Sequence, residues 1–356
     1  MKKMTLVWHE AGNEFYTDRY ISLSKKFRLK VLGFTEFQKK KFKISKLKKT
    51  YKIKLYKPIF SFHWLSVFSI NLLKELIKDN SKIIYIHEEP HSLLAFLILM
   101  LKKRGTIYIL DAAVINLKLN FKKFNIFENF VYKKIDYIFY RNDFVKKKLI
   151  QRGAPKNKLV LEIGNGVKYN YKKRKKIYRN KLFKIGYVGK IIHRKGLHLI
   201  CSFLEKYNFN NQFKLFVVGK ILDNNYFKKI NKYFTYYGEI NNFSKLKRFY
   251  QSCDFFVCPS ISTKNWKEQF GRVIIESISN NRLVIGSSSG FIPKLVLKNA
   301  TFRENNVKDL SRLIKKISNN VDLANKILVS QSINLVNNFT WDSIALKINK
   351  FINNEK

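Results

Sequence analysis

Short apolar runs alternate with longer helical patterns along almost the whole chain. Runs such as Lys82–Ile86 and Thr106–Leu110 carry apolar residues without a polar face, and segments of helical period separate them. Strands of this kind are buried on both sides, which is typical of a parallel sheet covered by helices. Ligands bind such sheets beyond the carboxyl ends of the strands, where short loops lead into helices. The pattern therefore predicts an α/β protein with its site at those loops.

A polar, basic stretch interrupts this alternation near the middle of the chain. Residues 168–184 show neither a helical nor a strand period. The length of 356 residues fits two domains of roughly 100–200 residues each. We therefore expect an N-terminal α/β domain over residues 1–170, a basic linker over 171–183, a second α/β domain over 184–335 and a C-terminal helical segment over 336–356.

The chain is strongly basic, with 71 Lys and Arg residues against 24 Asp and Glu and a net charge of +47. Nucleic acid and anionic membranes are common partners of so basic a chain. A nucleic-acid reader concentrates its charge in a patch, arm or stripe, but residues 1–170 carry a net +23 and residues 171–356 a net +24. A Lys-rich background composition explains this even spread of charge at least as well as a role of the charge in binding does. The local clusters at residues 39–49 and 172–184 are where a basic patch is expected.

The cysteines and the apolar runs indicate the compartment. Cys201, Cys253 and Cys258 cannot all pair within the chain and show no C-x-x-C spacing, which favours a reducing compartment and no metal cluster. The longest apolar run, Leu93–Leu101, is far shorter than the ~20 residues of a membrane span and predicts a buried helix. The first residues do not have the pattern of a signal peptide. We therefore expect a cytoplasmic protein that is not integral to the membrane.

A glycine turn follows the first predicted strand of the second domain. Gly189 ends the strand and would let the backbone approach a bound phosphate. Lys190, Arg194 and Lys195 add cations near the same point before Gly196. Neither the Walker A loop nor the Rossmann glycine fingerprint is present. The turn indicates phosphate binding outside those two classes, or an ordinary strand–turn–helix connection in a Lys-rich chain.

Two carboxylates eight residues apart frame a predicted helix start. Glu268 lies in the loop before the helix, and Glu276 lies within its apolar stretch. Residues 269–272 expose free amide groups at the helix N-terminus, which suit a diphosphate. Two interpretations are open. Either both carboxylates accept hydrogen bonds from sugar hydroxyls, or Glu268 is a carboxylate at the helix N-terminus and Glu276 is a solvated helix residue. A third stretch, Gly286–Lys294, leads from a strand through a Ser/Gly loop to Pro293, which is placed to start a helix.

These stretches, in this order, resemble the donor-sugar domain of glycosyltransferase family 4. The matching residues are Val188-Gly189-Lys190 with Lys195-Gly196, then Pro259-Ser260, then Glu268 with Phe270-Gly271 and Glu276, and then Ser289–Lys294. The sequence departs from the family pattern at Lys190, which replaces Arg, at Phe291, which replaces Gly, and at Lys294, which replaces Glu. These departures concern the shape of the sugar pocket. In the N-terminal domain, Ile86–Ser92 also looks like a loop of polysaccharide-building members.

The resemblance implies a GT-B fold, in which two Rossmann-like, doubly wound parallel-sheet domains face a central cleft. It implies a retaining, metal-independent transferase of the hexosyltransferase type with a UDP- or GDP-sugar as co-substrate and no cofactor. The chain has no Asp-x-Asp pair, which agrees with metal independence. The helix Trp341–Phe351 looks like the one that returns to the N-terminal domain. The residues expected at the donor nucleotide-sugar are Gly189, Lys190, Lys195, Gln269, Phe270, Gly271 and Glu276, with Glu268 at the transferred sugar as a catalytic residue.

Acceptor-side residues are expected at the strand ends of the first domain. His87, Glu88 and Asp111 follow predicted strands, and a histidine there can relay a proton near neutral pH. Family members often carry His where Asp111 falls, so His87 and Asp111 are the catalytic candidates, although His87 could equally be a structural loop residue. Gly12 and Asn13 lie in the first strand–helix loop, which borders the acceptor in this architecture, and Glu88 joins them on the acceptor side.

The sequence thus favours a sugar transferase that acts on a glycan or lipid-linked acceptor in surface polysaccharide or lipopolysaccharide biosynthesis. Peripheral contact with the anionic inner face of the cytoplasmic membrane is a further expectation, and no specific nucleic acid is expected as a partner. Two alternatives stay open. One is a protein that uses its charge to bind nucleic acid or an anionic membrane, which a steep salt dependence would reveal. The other is an inactive relative that keeps the fold.

Overall fold

The computed structural model describes residues 1–38, 40–42, 50–60, 68–112, 125–169, 182–207, 212–264 and 266–354. These residues divide into two compact units, one of Met1–Asn165 with Trp341–Lys356 and the other of Gly166–Thr340. Most of the predicted linker and most of both basic clusters lie outside the described residues. Each unit is described by itself.

The first unit is built on a parallel sheet. Its strands are β1 (Lys3–Val7), β2 (Arg28–Phe34), β3 (Glu36–Phe37), β4 (Lys40–Lys41), β5 (Lys52–Tyr56), β6 (Ile83–Ile86), β7 (Ile107–Ala112), β8 (Tyr137–Tyr140) and β9 (Leu159–Glu162). Its helices are α1 (Thr17–Ser24), α2 (Ile70–Ile77), α3 (Leu93–Met100), α4 (Asn125–Lys134), α5 (Asp143–Gln151) and α13 (Trp341–Asn354). Among the described residues, seven strands pair in the order β5-β2-β1-β6-β7-β8-β9, and β3 and β4 form a separate antiparallel pair.

The second unit repeats this plan. Its strands are β10 (Phe183–Val188), β11 (Phe213–Val218), β12 (Thr235–Tyr236), β13 (Phe255–Cys258), β14 (Leu283–Ser287) and β15 (Thr301–Phe302). Its helices are α6 (Leu197–Tyr207), α7 (Asn224–Ile230), α8 (Phe243–Ser252), α9 (Arg272–Ser279), α10 (Ile292–Val296), α11 (Val307–Asn319) and α12 (Val321–Asn338). Within the described part of this unit, the parallel strands pair in the order β12-β11-β10-β13-β14-β15.

The two strand orders determine where each unit can bind a ligand. In chain order the second sheet runs 3-2-1-4-5-6, and the first sheet has the same order with a seventh strand added. The order reverses between β1 and β6 in the first unit and between β10 and β13 in the second. A doubly wound sheet leaves a crevice at such a reversal, beyond the carboxyl ends of the two strands. Most of the predicted site residues follow these strands, but Asp111 lies within β7, one strand further along the first sheet, and not after a strand as expected.

Buried apolar side chains fill both faces of the sheets, as the apolar strands predict. The C-terminal helix α13 belongs to one face of the first unit, where Trp341, Ile344 and Ile348 pack with residues of β1 and α1. Lys25 at the end of α1 and Asp342 in α13 form an exposed ion pair of 2.8 Å. The described residues contain no helix that is both long enough and apolar enough to span a bilayer.

Candidate functional site

The crevice of the second unit is formed by close backbone contacts. Gly196 has a φ of +71°, and a Cβ at this position would lie 1.9 Å from the carbonyl oxygen of Pro259. Gly290 has a φ of +54°, and its Cβ would lie 2.0 Å from the carbonyl oxygen of Glu268. Only glycine tolerates this backbone and this proximity. Gly196 thus brings the first motif against the second, and Gly290 brings the fourth against the third.

Lys195 and Glu268 form an ion pair at this crevice. The Nζ atom of Lys195 lies 2.5 Å from Oε2 of Glu268, and Ser260 donates a hydrogen bond of 2.7 Å to the same oxygen. The side chain of Lys195 is 22% exposed and that of Glu268 is 10% exposed. Lys195 therefore presents part of its charge to the crevice while Glu268 is held in one orientation. We call Lys195, Glu268, Ser260 and Ser289 the Lys195 cluster.

An aromatic ring covers the cations of the glycine turn. The ring centroid of Trp266 lies 4.9 Å from Nζ of Lys195 and 5.1 Å from Cζ of Arg194. A cation over an indole face is attracted by the ring quadrupole, so Trp266 restricts where both charges can point. Lys190, in the same turn, is exposed. Sequence reasoning did not single out Trp266, because nothing in the motif indicates that the chain folds back over Lys195.

The segment from Glu268 to Gly271 leads into α9. Gly271 adopts a φ of +75° as the N-cap of the helix. The ring of Phe270 is buried and stacks on Phe291 at 5.3 Å between centroids, so its side chain belongs to the core. Only its backbone remains for a ligand. Gln269 is half-buried.

Glu276 is held by two partners that the sequence did not indicate. Its Oε2 accepts a hydrogen bond of 2.7 Å from the Tyr250 hydroxyl, and its Oε1 accepts one of 2.9 Å from Arg272. Burial, together with Glu276, raises the pKa of Tyr250 well above its ordinary value, so the phenol keeps its proton and donates. Since the Glu276 side chain is 22% exposed, it is not the freely solvated residue that the alternative interpretation assumed.

In the first unit, His9 and Glu88 bridge the crevice between β1 and β6. The backbone amide of His9 donates to Oε1 of Glu88 at 2.8 Å, and its Nδ1 lies 2.9 Å from the same carboxylate. Burial alone would lower the pKa of His9, but the charge and hydrogen bond of Glu88 outweigh it and raise this pKa. Gly12 and Asn13 follow in the same loop, where Gly12 backs onto the side chains of Phe42 and Leu55.

A buried carboxylate lies between two arginines at the ends of β6, β7 and β8. Asp111 Oδ2 accepts from Arg19 at 2.7 Å and from the Tyr85 hydroxyl at 3.0 Å, and its Oδ1 pairs with Arg141 at 2.8 Å. Nδ1 of His87 lies 2.6 Å from Oδ2. Burial would raise the pKa of Asp111, but Arg141, His87 and Arg19 hold it well below its usual range. We call these five residues the Asp111 cluster.

The geometry changes the chemistry expected of His87 and Asp111. Burial, with Arg19 and Arg141 nearby, lowers the pKa of His87 to about 3 against the opposing effect of Asp111. A histidine with this pKa is neutral at pH 7 and is poorly matched to store a proton there, which argues against a proton relay near neutral pH. Nη atoms of Arg19 and Arg141 each lie 3.2 Å from Nδ1 of His87, but Asp111, which can only accept, is closer at 2.6 Å. We therefore assign the proton to Nδ1, which leaves Nε2 as an acceptor.

Asp111 has a fully buried side chain, whereas 12% of the His87 side chain is exposed. A carboxylate without access to solvent cannot touch a substrate from this position. The structure therefore places Asp111 behind His87, as the group that orients it. Arg19 and Arg141, which balance the charge of Asp111, were not found by sequence reasoning because neither belongs to a motif.

Folding stability should depend on pH through the neutral His87. An unfolded histidine takes up a proton near its ordinary pKa of 6.5, whereas folded His87 does so near about 3. Between these values the unfolded chain binds more protons, so the free energy of unfolding falls as the pH decreases from 6.5 toward 3. We expect the free energy of unfolding, measured in urea, to fall less for His87→Asn than for the wild type as the pH decreases over this window. Identical pH profiles would mean that folded His87 titrates with an ordinary pKa.

The described residues contain no group of three His, Cys, Asp or Glu side chains arranged to hold a metal ion. The candidate site residues form two sets, one in each unit. Lys195, Glu268, Ser260 and Ser289 form the first, with Glu276 at the following helix. The Asp111 cluster and the His9–Glu88 pair form the second.

Comparison with known proteins adds a family match in the second unit. Residues 170–332, just under half of the chain, match the family model described as "Glycosyl transferases group 1". The Lys195 cluster and Glu276 both lie in this range. The match supports a glycosyltransferase.

A curated relative comes from Klebsiella pneumoniae and is described as "Uncharacterized 42.6 kDa protein in cps region". It is 25% identical over 183 residues, which are 51% of this chain and 46% of the relative. The match thus spans about half the length of the relative.

Solved structures resemble almost the whole chain. HepE from Anabaena, in complex with UDP and glucose, has a TM-score of 0.70 at 15% identity and covers 99% of this chain and 100% of its own. A sucrose-phosphate synthase from Thermosynechococcus elongatus has a TM-score of 0.67 at 13% identity, with coverage of 100% and 99%. At these identities the likeness shows the fold alone. Together with the two parallel sheets, it confirms the predicted GT-B fold.

Proposed function

We propose that this chain is a retaining glycosyltransferase of family 4 that moves a sugar from a nucleotide-sugar to a glycan or lipid-linked acceptor. The observation that carries the proposal is the Lys195 cluster with Glu276 at the strand-order reversal of the second unit. There a partly exposed ammonium, a helix N-terminus and two carboxylates occupy adjacent positions. A diphosphate needs the first two groups, and the hydroxyls of a ribose and a sugar need the carboxylates.

Each donor-side residue has a separate role in this proposal. Lys190 and Lys195 neutralise the diphosphate, together with backbone amides of Gln269, Phe270 and Gly271 at the start of α9. Gly189 lets the backbone approach the phosphates. Glu276 accepts hydrogen bonds from the ribose hydroxyls, and Glu268 accepts them from the transferred sugar.

The reaction replaces one bond at the anomeric carbon with another on the same face. The bond from this carbon to the diphosphate oxygen breaks, and its electron pair leaves with the diphosphate. The acceptor hydroxyl then adds through an ion-pair-like state and gives its proton to the departing phosphate oxygen. The lysines and the helix amides stabilise the charge that develops on the leaving group. In this scheme, protein cations provide that stabilisation, which supports metal independence.

In the first unit, His87 is the residue proposed to contact a reactant. Its Nε2 accepts a hydrogen bond from a sugar hydroxyl, because Asp111 fixes the proton on Nδ1. Asp111 is then a positioning residue. Gly12 and Asn13 are proposed to line the acceptor side, and Glu88, whose side chain is 1% exposed, is proposed to support it by holding His9.

The donor and pathway proposals rest on the comparisons. HepE binds UDP and glucose, which makes UDP-sugars the first donors to test, with GDP-sugars next. The Klebsiella relative lies in a cps region, which supports surface polysaccharide biosynthesis; lipopolysaccharide is the other expected pathway. A hexosyl group is the proposed cargo, and the cytoplasm is the proposed location.

Peripheral membrane contact is proposed through helix α2. Ile70 and Ile77 are each 54% exposed, and exposed Lys74 and Lys78 lie on the same side of the helix. Isoleucine and lysine alternating along an exposed stripe suit the interface of an anionic bilayer. A lipid-linked acceptor would then be reached at the membrane surface.

Nucleotide release from a panel of UDP-, GDP- and ADP-sugars tests the function, with acceptors offered both in solution and in anionic vesicles. We expect Glu276→Ala to weaken nucleotide affinity about 10–100-fold, because a hydrogen bond to a charged group is lost. Glu205→Ala is the matched control, since Glu205 also accepts from a tyrosine hydroxyl, that of Tyr233, but on the exposed surface. Equal affinities in the two variants would contradict the role of Glu276. Intact nucleotide-sugars with every acceptor would favour an inactive relative.

A further inference from the structure

Glu304 connects three loops that follow neighbouring strands of the second unit. It lies just after the edge strand β15 and is half-buried. Its Oε2 accepts a hydrogen bond of 2.5 Å from the backbone amide of Ser262, and its Oε1 accepts one of 3.0 Å from the Ser262 hydroxyl. Its own amide donates to Ser288 at 3.1 Å. One residue thus links the loops after β13, β14 and β15.

These bonds continue to Glu268. The Ser262 hydroxyl lies 3.0 Å from that of Ser289, and the backbone amide of Glu268 donates to Ser289 at 3.4 Å. Ser289 is completely buried. Because each hydroxyl in this chain of bonds is held on both sides, a change at Glu304 is transmitted to the backbone that carries the Glu268 carboxylate.

Glu304 also anchors the loop that covers Lys195. Ser262 directly precedes a tight turn in which Thr263 and Trp266 exchange backbone hydrogen bonds of 2.7 and 3.2 Å. Trp266 in that turn lies over Lys195. Seven residues separate Ser260 from Glu268, and both bonds from Ser262 to Glu304 lie within this loop.

We propose that Glu304 is a positioning residue for donor-sugar recognition. It holds residues 260–264 and 266–268 so that Glu268 and Lys195 keep their orientation at the crevice. The proposal rests on the donor-binding function proposed above, and it adds a carboxylate that no motif contains. Glu304 itself stays behind Ser262 and acts through it.

Hydrogen exchange gives a test that needs no substrate. In Glu304→Ala, amides of residues 260–268 and 287–291 should exchange faster, because Ser262 loses both of its bonds to the carboxylate. Glu304→Gln keeps one carbonyl acceptor, so its exchange rates in these segments should lie between those of the wild type and those of the alanine variant. Asp309→Asn is the control, since Asp309 forms an exposed ion pair with nearby Arg303. Exchange in these segments equal to that of the control would overturn the anchoring.

Kinetics separate a positioning role from a merely structural one. We expect Glu304→Ala to raise KM for the nucleotide-sugar about 10-fold or more, since buried partners are left unpaired, with partial rescue by Glu304→Gln. The affinity for the free nucleoside diphosphate should fall less than that for the nucleotide-sugar, because Glu276, the proposed ribose contact, is held by Tyr250 and Arg272 and not by this network, whereas Glu268, the proposed sugar contact, depends on it. Equal losses for nucleotide and nucleotide-sugar would overturn the proposal.

Failure of the proposed function is distinguishable from failure of this inference. A wild-type protein that neither binds nor turns over any nucleotide-sugar contradicts the function. The exchange measurement then decides alone whether Glu304 anchors the loop. Normal turnover with an unchanged KM in Glu304→Ala contradicts the positioning role and leaves the function intact.

Discussion

Replacing Lys195 with alanine is expected to lower kcat/KM for the nucleotide-sugar by about 10²–10³-fold, as for other preorganised groups that stabilise a developing charge. Its side chain is 22% exposed, and its ammonium is held between Glu268 and the ring of Trp266. This restraint lowers the cost of orienting the charge toward a diphosphate. The effect should appear in both kcat and nucleotide affinity, measured by steady-state kinetics and calorimetry.

Two further variants make this result specific. Lys195→Met keeps the length and the packing against Trp266 but removes the charge, so it should resemble Lys195→Ala. Lys214→Ala removes an exposed charge from strand β11 of the same unit and should leave the activity unchanged. Full activity in Lys195→Met would show that packing, rather than charge, is what Lys195 contributes.

The second large effect is expected on stability at Asp111. Asp111→Asn should lower the free energy of unfolding by about 3–5 kcal/mol, because Arg19 and Arg141 would be left as buried, uncompensated charges. The three side chains are at most 7% exposed, so water cannot replace the lost carboxylate. Urea unfolding at pH 7 measures this change directly.

Asp342→Asn is the control for Asp111→Asn within the same unit. Asp342 pairs with Lys25 at 2.8 Å, but both side chains are more than half exposed, and such a pair contributes at most about 1 kcal/mol. A stable Asp111→Asn protein that has lost activity would mean that Asp111 serves mainly to orient His87 and contributes little to stability. Loss of stability with activity retained in the folded fraction would leave it as the residue that balances charge.

Local pattern was enough to predict most elements of the fold. The sequence pattern alone predicts a strand over Tyr137–Tyr140 and a helix over Asp143–Gln151, and the structure has both with these bounds, because periodicity and caps are local properties. The short edge strand β15 and helix α4 were missed. A two-residue strand has no period of its own, and it is defined only by pairing with β14. The helical pattern of the sequence continues over residues 322–350, whereas the structure has two helices there, because α12 ends at Asn338 and α13 begins at Trp341.

The sequence alone determined the class of fold and the residues around each motif. The order of apolar strands and helices requires a covered parallel sheet, and the motifs that contain Gly189, Lys195, Glu268 and Glu276 predict the donor-side residues through their resemblance to family 4. Only the tertiary structure decided the partners of those residues. Arg19 is 92 residues from Asp111, and Glu304 is 42 residues from Ser262. These pairs form because the strand order brings the ends of distant strands together, and the strength of an ion pair or hydrogen bond depends on distance in space and on burial, which a local pattern does not encode.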